Sequence, residues 1–294
     1  MKKIYSASVT PLTDNGSLDV KSLERIIDRN TRHGLSGIFV LGSMGEWSQF
    51  DSELRDQVIK ESAQIMGKRG EILAGIHGAG LHLTLKNMER VSKYEFDSFV
   101  LTLPAKTSRI NPMEYLKAVL DASDRPVYYY HCPPNNGVAF SVSQFEEILA
   151  HPKIKGIKNS SGDMALRKEL IMLKEKYKFA LLEGHEWAID EALIMGCDGA
   201  LCGLGALGSK VMVSIARAAD SGDIKTAVRL QHDLIRIFHG VYGKNLENVW
   251  AGQKYALKKL GVISSDHTLV ENGPSAARKA EIDKCLAEYK ELLD

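Results

Sequence analysis

Cysteine is scarce and scattered: Cys132, Cys197, Cys202 and Cys285 are the four in 294 residues. Their spacing frames no disulfide pattern, so a reduced chain is expected. Cys197 and Cys202, with His185 and Glu186 upstream, match no zinc-ligand spacing, and no metal site is expected. Long hydrophobic runs are missing as well. No segment approaches the roughly 18 apolar residues of a membrane span, and the opening MKKIYSASVTPL has two lysines but no continuous apolar stretch. These absences predict a cytoplasmic protein that does not engage a membrane. An excess of one charge is the third absence: 38 Lys and Arg against 37 Asp and Glu give a formal net charge of +1. Interspersed charge of this kind offers no basic stripe to nucleic acid. Small-molecule chemistry in a globular fold is what remains, and 44% hydrophobic residues over this length can build a large core.

What the chain does have is alternation. Eight short apolar runs are separated by amphipathic stretches: IYSASV (4–9), SGIFVL (36–41), EILAGI (71–76), SFVLTL (98–103), PVYYY (126–130), IKGIK (154–158), FALLEG (179–184) and DGALCG (198–203). Between them SLERIIDRNTRHG ends on a glycine, Gly34, and SVSQFEEILAHP has Ser141 or Ser143 to cap it and Pro152 to stop it. Eight βα units without a linker predict an α/β fold, a (β/α)₈ TIM barrel over residues 1–222 that carries the active site. Residues 223–294 hold only helical patterns and predict a C-terminal three-helix extension.

In such a barrel chemistry sits at the C-terminal ends of the strands. Those positions hold Ser43 and Glu46 after strand 2, His77 after strand 3, Lys106 and Arg109 after strand 4, and Tyr130 with His131 after strand 5. Strand 6 ends in Lys158, strand 7 in His185 and Glu186, and strand 8 in GLGALG. A lone strand-end lysine is ordinarily a solvated group. At the inner rim it is desolvated instead, which favours the neutral amine and makes it a nucleophile toward a ketone. Tyr130, on the adjacent strand, supplies a hydroxyl for the proton transfers. Tyr129 points the other way and should be core against the helices. Glu46 reads as a structural acceptor beneath its loop. GLGALG matches G-x-G-x-x-G but follows strand 8 rather than strand 1, so a close turn or a helix-terminal anion site is expected there, not a dinucleotide.

The motifs SVTPL with NGSLD, GSMGE in place of G-[ST]-[ST]-G-E, YYYHCP, and GIKNSSGD around a G-x-K lysine occur in one order along the chain. In these it resembles the dihydrodipicolinate synthase and N-acetylneuraminate lyase superfamily of pyruvate-dependent class I aldolases. The resemblance spans essentially the whole chain. It implies a Schiff-base mechanism without a cofactor, a pyruvyl half of the substrate, and a homotetramer built as a dimer of dimers. It implies Lys158 as the imine-forming lysine, Tyr130 as the proton-relaying phenol, and Ser43 with the Met44 amide as the seat of the substrate carboxylate. Leu201, on strand 8, joins Met44 among the expected substrate-binding residues.

Three departures bear on the second substrate. Met44 replaces the second hydroxyl residue of the carboxylate motif, LPAKTSRI lacks the tyrosine that dihydrodipicolinate synthases carry after strand 4, and Asn135 stands where they carry an arginine. Asn135, Asn136, His77, His131, His185 and Glu186 are expected instead to form a polar ring suited to hydroxyl groups. Lys106 and Arg109 are the rivals, since either could hold a carboxylate. The expected activity is cleavage of a 2-keto-3-deoxy acid, a sugar acid or sialic-acid-like compound, to pyruvate and an aldehyde, or the reverse condensation. A dehydratase, a dihydrodipicolinate synthase, a phosphate-sugar isomerase and a non-catalytic pyruvate-binding regulator are the alternatives.

Overall fold

The computed structural model describes residues 2–104 and 110–294. Eight strands, β1 (Lys3–Ala7), β2 (Gly37–Val40), β3 (Glu71–Gly75), β4 (Ser98–Leu101), β5 (Val127–His131), β6 (Ile154–Asn159), β7 (Ala180–Glu183) and β8 (Gly199–Cys202), close into a parallel barrel in sequence order. Around it run α1 (Val20–His33), α2 (Ser52–Met66), α3 (Leu81–Val91), α4 (Pro112–Ala122), the single turn α5 (Pro133–Asn136), α6 (Val142–Leu149), α7 (Met164–Leu173), α8 (Ile189–Met195) and α9 (Gly205–Asp220). All eight apolar runs became strands. The (β/α)₈ barrel expected from their alternation is the fold. Helix α1 stops at Gly34, whose φ of 95° is left-handed, and Ser141 rather than Ser143 caps α6 in a capping box with Gln144.

Residues alternate between two cores, as the pleat demands. Tyr5, Phe39, Leu73, Val100, Tyr128, Tyr130, Leu182 and Leu201 fill the barrel interior. Ile38, Ala74, Phe99, Tyr129, Ile157 and Leu181 face the helices. Tyr129 stacks 5.5 Å from Phe140, on the outer face assigned to it by strand parity. At the barrel floor Glu71 takes Lys3 at 2.5 Å and Lys155 at 2.9 Å.

Lys155 marks an irregularity that positions the site. Val127 pairs with Ile154, but Tyr128 pairs with Gly156, so β6 carries one extra residue. Such a bulge reverses the facing of everything beyond it. Had the register of Val127 continued, Tyr130 would oppose Ile157 and Lys158 would point at the helices. With the bulge, Tyr130 opposes Lys158 and both side chains turn inward.

The chain then adds α10 (Ile224–Tyr242), α11 (Val249–Lys259), α12 (Ala276–Glu288) and α13 (Lys290–Leu293). The last expected helix is thus two, divided at Tyr289, whose ψ of 22° is not helical. The break seats Leu293 fully buried, with its carbonyl accepting from Arg29. Ile4, Ala200 and Cys202 of the barrel wall share one core with Leu234, Leu257 and Ile282 of these helices. Among the described residues no helix is long and apolar enough to cross a membrane.

Candidate active site

Lys158 is 4% exposed. Its Nζ lies 3.8 Å from the Tyr130 ring centroid and 5.5 Å from that of Phe39. It has no ion-pair partner among the described residues. Burial lowers its pKa, and the more distant Cys202, Glu186 and Cys132 only partly oppose that. The Tyr130 phenol is pushed the other way, up, by burial first and then by Cys132, with Ser160 opposing. A buried amine biased toward its neutral form, beside a phenol that keeps its proton, is a pair suited to imine formation and proton transfer. The Ser160 hydroxyl is buried beside the Tyr130 phenol, and a Cβ on Gly184 would stand 1.9 Å from it. Glycine at the end of β7 leaves the room it needs.

The loop after β2 crosses over Phe39. A Cβ on Gly42 would lie 2.5 Å from that ring, which is why glycine opens the GSMGE turn. Leu41 and Glu46, at the turn's two ends, both take a left-handed φ of 58°. Non-glycine residues there cost about 1–3 kcal/mol each and persist only where the surroundings hold them. Within the turn the Gly45 and Glu46 amides donate to the Gly42 and Ser43 carbonyls. The Ser43 and Met44 amides have no acceptor among the described residues. The Met44 side chain packs against Gly203 of the loop after β8.

Glu46 is the structural acceptor expected of it. Its carboxylate is fully buried, pairs with the equally buried Lys254 of α11, and accepts from the Thr268 hydroxyl at 2.9 Å and the Leu269 amide at 2.8 Å. Desolvation lowers the pKa of Lys254, with Glu46 opposing. Lys254→Met strands Glu46 as an uncompensated buried charge, and the expected loss is about 3–5 kcal/mol. Urea unfolding measures it, and adding Glu46→Gln to the same chain should recover part of the loss. A single variant as stable as the wild type would show that the pair contributes nothing.

His77 follows β3 and is buried edge-on to Phe39, 6.1 Å between centroids, and to Trp47 at 5.3 Å. Burial, with Arg55 and Lys158 adding, lowers its pKa to about 3. The ring is therefore neutral. Its Nδ1 accepts from the Thr102 amide at 3.3 Å, so Nε2 carries the proton, buried without a partner among the described residues. Glu186 is half-buried, accepts from the Leu204 amide at 2.9 Å, and is close enough to act on both Lys158 and Tyr130. The Nε2 of His185 is buried beside Gly162, where an added Cβ would stand 3.6 Å from it. Leu201 is fully buried in the interior cluster with Tyr130 and Cys132.

Two members of the expected ring stand elsewhere. His131 faces the helices: its Nδ1 is 3.3 Å from the Tyr129 hydroxyl and its ring stacks on Phe140. It alternates with Tyr130 along β5 and so takes the opposite side. Asn135 is exposed on α5, and the buried amide is its neighbour Asn136, whose Oδ1 accepts from the Val138 amide at 3.0 Å. Lys106 and Arg109 lie outside the described residues. The strand-8 glycines are packing glycines: Gly203 meets Met44 and Gly205 meets Ser6.

Several rim groups escaped the sequence reading. Cys132, just past the end of β5, joins Tyr130 in the interior cluster. From the C-terminal helices, Trp250 Nε1 donates to the Ser43 carbonyl at 2.9 Å and Gln253 Nε2 to the Gly203 carbonyl at 3.2 Å. Tyr242 of α10 is buried with its hydroxyl unpartnered among the described residues. Strand-end position could have found Cys132, two residues past Tyr130. Nothing local to α10 or α11 announces a partner more than 200 residues away.

The profile of the Dihydrodipicolinate synthetase family matches residues 1–284. The chain is 27% identical to a 4-hydroxy-tetrahydrodipicolinate synthase of Exiguobacterium sibiricum over 97% of each chain. It is 29% identical to an uncharacterized DapA-like lyase of Pyrobaculum arsenaticum over 88% of this chain and 87% of that one. The solved structure of dihydrodipicolinate synthase from Bacteroides thetaiotaomicron superposes with a TM-score of 0.90 at 25% identity, covering 98% of each chain.

Proposed function

Since the chain belongs to the Dihydrodipicolinate synthetase family of pyruvate-dependent, aldolase-type enzymes, we propose that it is a class I lyase cleaving a 2-keto-3-deoxy acid to pyruvate and an aldehyde, or catalysing the reverse. The observation that carries this reading is Lys158, buried without a counter-ion among the described residues and in register with Tyr130. Neutral Lys158 Nζ adds to the 2-keto carbon, water leaves, and a protonated imine forms. The bond between C3 and C4 then breaks as the C4 hydroxyl gives up its proton, and the electron pair passes into the imine to leave an enamine. Protonation at C3 and hydrolysis return pyruvate and the free amine. Tyr130 moves the protons. The Ser43 and Met44 amides hold the carboxylate, a task that needs only backbone N–H groups and so tolerates methionine at position 44. The imine is the electron sink, so the reaction calls for no cofactor. The working assembly in this reading is a homotetramer in the cytoplasm, with the site on residues 1–222 and residues 223–294 braced against it.

The acceptor end decides the substrate. Glu186 places a carboxylate near Lys158, and His77 presents a neutral N–H. Both groups suit hydroxyls, and the Glu186 carboxylate repels a second substrate carboxylate. Asn135 offers no cation, and its exposure on α5 removes it from the acceptor's immediate contacts. A second reading, synthesis of 4-hydroxy-tetrahydrodipicolinate from pyruvate and aspartate semialdehyde, is favoured by the activity for which the Exiguobacterium relative is named. Both are tested on one preparation: a panel of 2-keto-3-deoxy sugar acids and sialic acid assayed for pyruvate release, against condensation with the semialdehyde. The expected kcat/KM is higher for the best sugar acid by about tenfold or more, which corresponds to about 1.4 kcal/mol in transition-state binding. Preference for the semialdehyde would overturn the assignment and leave the imine chemistry intact.

A further inference from the structure

One face of α11 touches both loops that roof the barrel mouth. Trp250, Gln253 and Lys254 stand at i, i+3 and i+4, the spacing that puts side chains side by side on a helix. They bind the Ser43 carbonyl, the Gly203 carbonyl and the Glu46 carboxylate. The first of these contacts reaches into the site through a single peptide unit. The carbonyl of Ser43 and the N–H of Met44 belong to the same peptide group, and in a trans peptide they point in opposite directions. No described peptide bond is cis. The indole pulls the carbonyl toward α11, so the Met44 N–H is directed away from α11.

We propose that Trp250 is a positioning residue for substrate binding: its indole N–H locks the Ser43–Met44 peptide in the orientation that presents the Met44 amide to the substrate carboxylate. The inference rests on the carboxylate seat assigned above. Two further observations support it. The Met44 amide has no acceptor among the described residues, so nothing in the turn competes for it. The turn is also anchored at its far end, where Glu46 is held by Lys254, Thr268 and Leu269. Leu41 and Glu46 are both left-handed, and the peptide between Ser43 and Met44 lies between these two ends. Besides Trp250, the Ser43 carbonyl accepts only the 3.2 Å bond from the Glu46 amide among the described residues.

The test compares two carbonyl compounds that form an imine on the same lysine, pyruvate with a carboxylate and acetaldehyde without one. Borohydride trapping followed by intact mass gives the half-saturation concentration for each, in the wild type and in Trp250→Phe. Loss of one positioned hydrogen bond should raise the value for pyruvate about tenfold while leaving acetaldehyde unchanged. A purely structural role would shift both together, and that outcome overturns the proposal, as does an unchanged pyruvate value. Should Trp250→Phe fail to fold, benzothienylalanine at position 250 keeps the bicyclic shape and removes only the N–H, and the same comparison decides. A wild-type protein that traps no pyruvate at Lys158 would overturn the imine reading itself. Normal wild-type trapping with an indifferent variant overturns only the role of Trp250.

Discussion

Replacing Lys158 with methionine lowers turnover by about 10⁴-fold or more, the scale on which loss of a covalent nucleophile is felt, and leaves the barrel at least as stable as before. The two halves of that expectation share one cause. Lys158 is a buried amine with no ion-pair partner among the described residues, and its pKa is lowered by burial, which Glu186 only partly opposes. In the unfolded chain it titrates near the ordinary lysine value of about 10.4. Between the lowered folded value and 10.4 the unfolded state binds more protons, so stability rises with pH across that window. Below the folded value the full cost of burying the ammonium is present. Methionine removes that cost and fills nearly the same space, so the urea midpoint at neutral pH should hold or increase. The same titration sets reactivity: trapping of pyruvate by borohydride should climb with pH to a midpoint below 10.4, and peptide mapping should place the adduct on Lys158. Lys155, bound to Glu71 at 2.9 Å, serves as the internal control. An adduct on any other lysine, or a methionine variant that keeps a tenth of its turnover, would remove Lys158 from the mechanism.

How Lys158 comes to face inward shows where the sequence stops being readable. The eight strands stood out as apolar runs, and Gly34, Ser141 and the inward Tyr130 followed from local chemistry. The rim position of Lys158 was readable too. Its direction was not, because it depends on the extra residue at Lys155, and IKGIK carries no mark of a bulge. Counting by twos from Ile154 would have sent Lys158 outward with Ile154 itself. His131 shows the converse: counting by twos from Tyr130 puts it on the outer face, where it packs on Phe140. Its place in a motif nevertheless suggested a polar rim. Asn135 was placed by a single position of sequence correspondence, and a one-turn helix turns that position to solvent. Trp250, Gln253 and Lys254 were legible only as helix. Their contacts close loops of about 50 to just over 200 residues, and no local pattern encodes which rim carbonyl a distant helix will reach.

Tyr130→Phe should lower turnover by about 10² to 10⁴, the range for losing a positioned proton donor or acceptor, while imine formation survives well enough to be trapped. The separation follows from what the substitution keeps. Phenylalanine retains the ring that lies 3.8 Å from Lys158 Nζ and its edge-on contact with Phe39 at 6.5 Å, so the packing and desolvation of the amine change little. What goes is the hydroxyl, which burial keeps protonated and which Cys132 and Ser160 adjoin. The steps that suffer are those moving a proton to or from the substrate oxygen as the carbon–carbon bond breaks, whereas the nucleophile itself is intact. Lys158→Met loses adduct and turnover together; Tyr130→Phe should keep the adduct and lose turnover. Single-turnover kinetics with trapped-adduct mass spectrometry separates the two patterns. Unchanged turnover would transfer the proton traffic to another group. The neutral ring of His77, whose Nε2–H has no partner among the described residues and lies one phenyl ring away from Lys158, is then the side chain to substitute next.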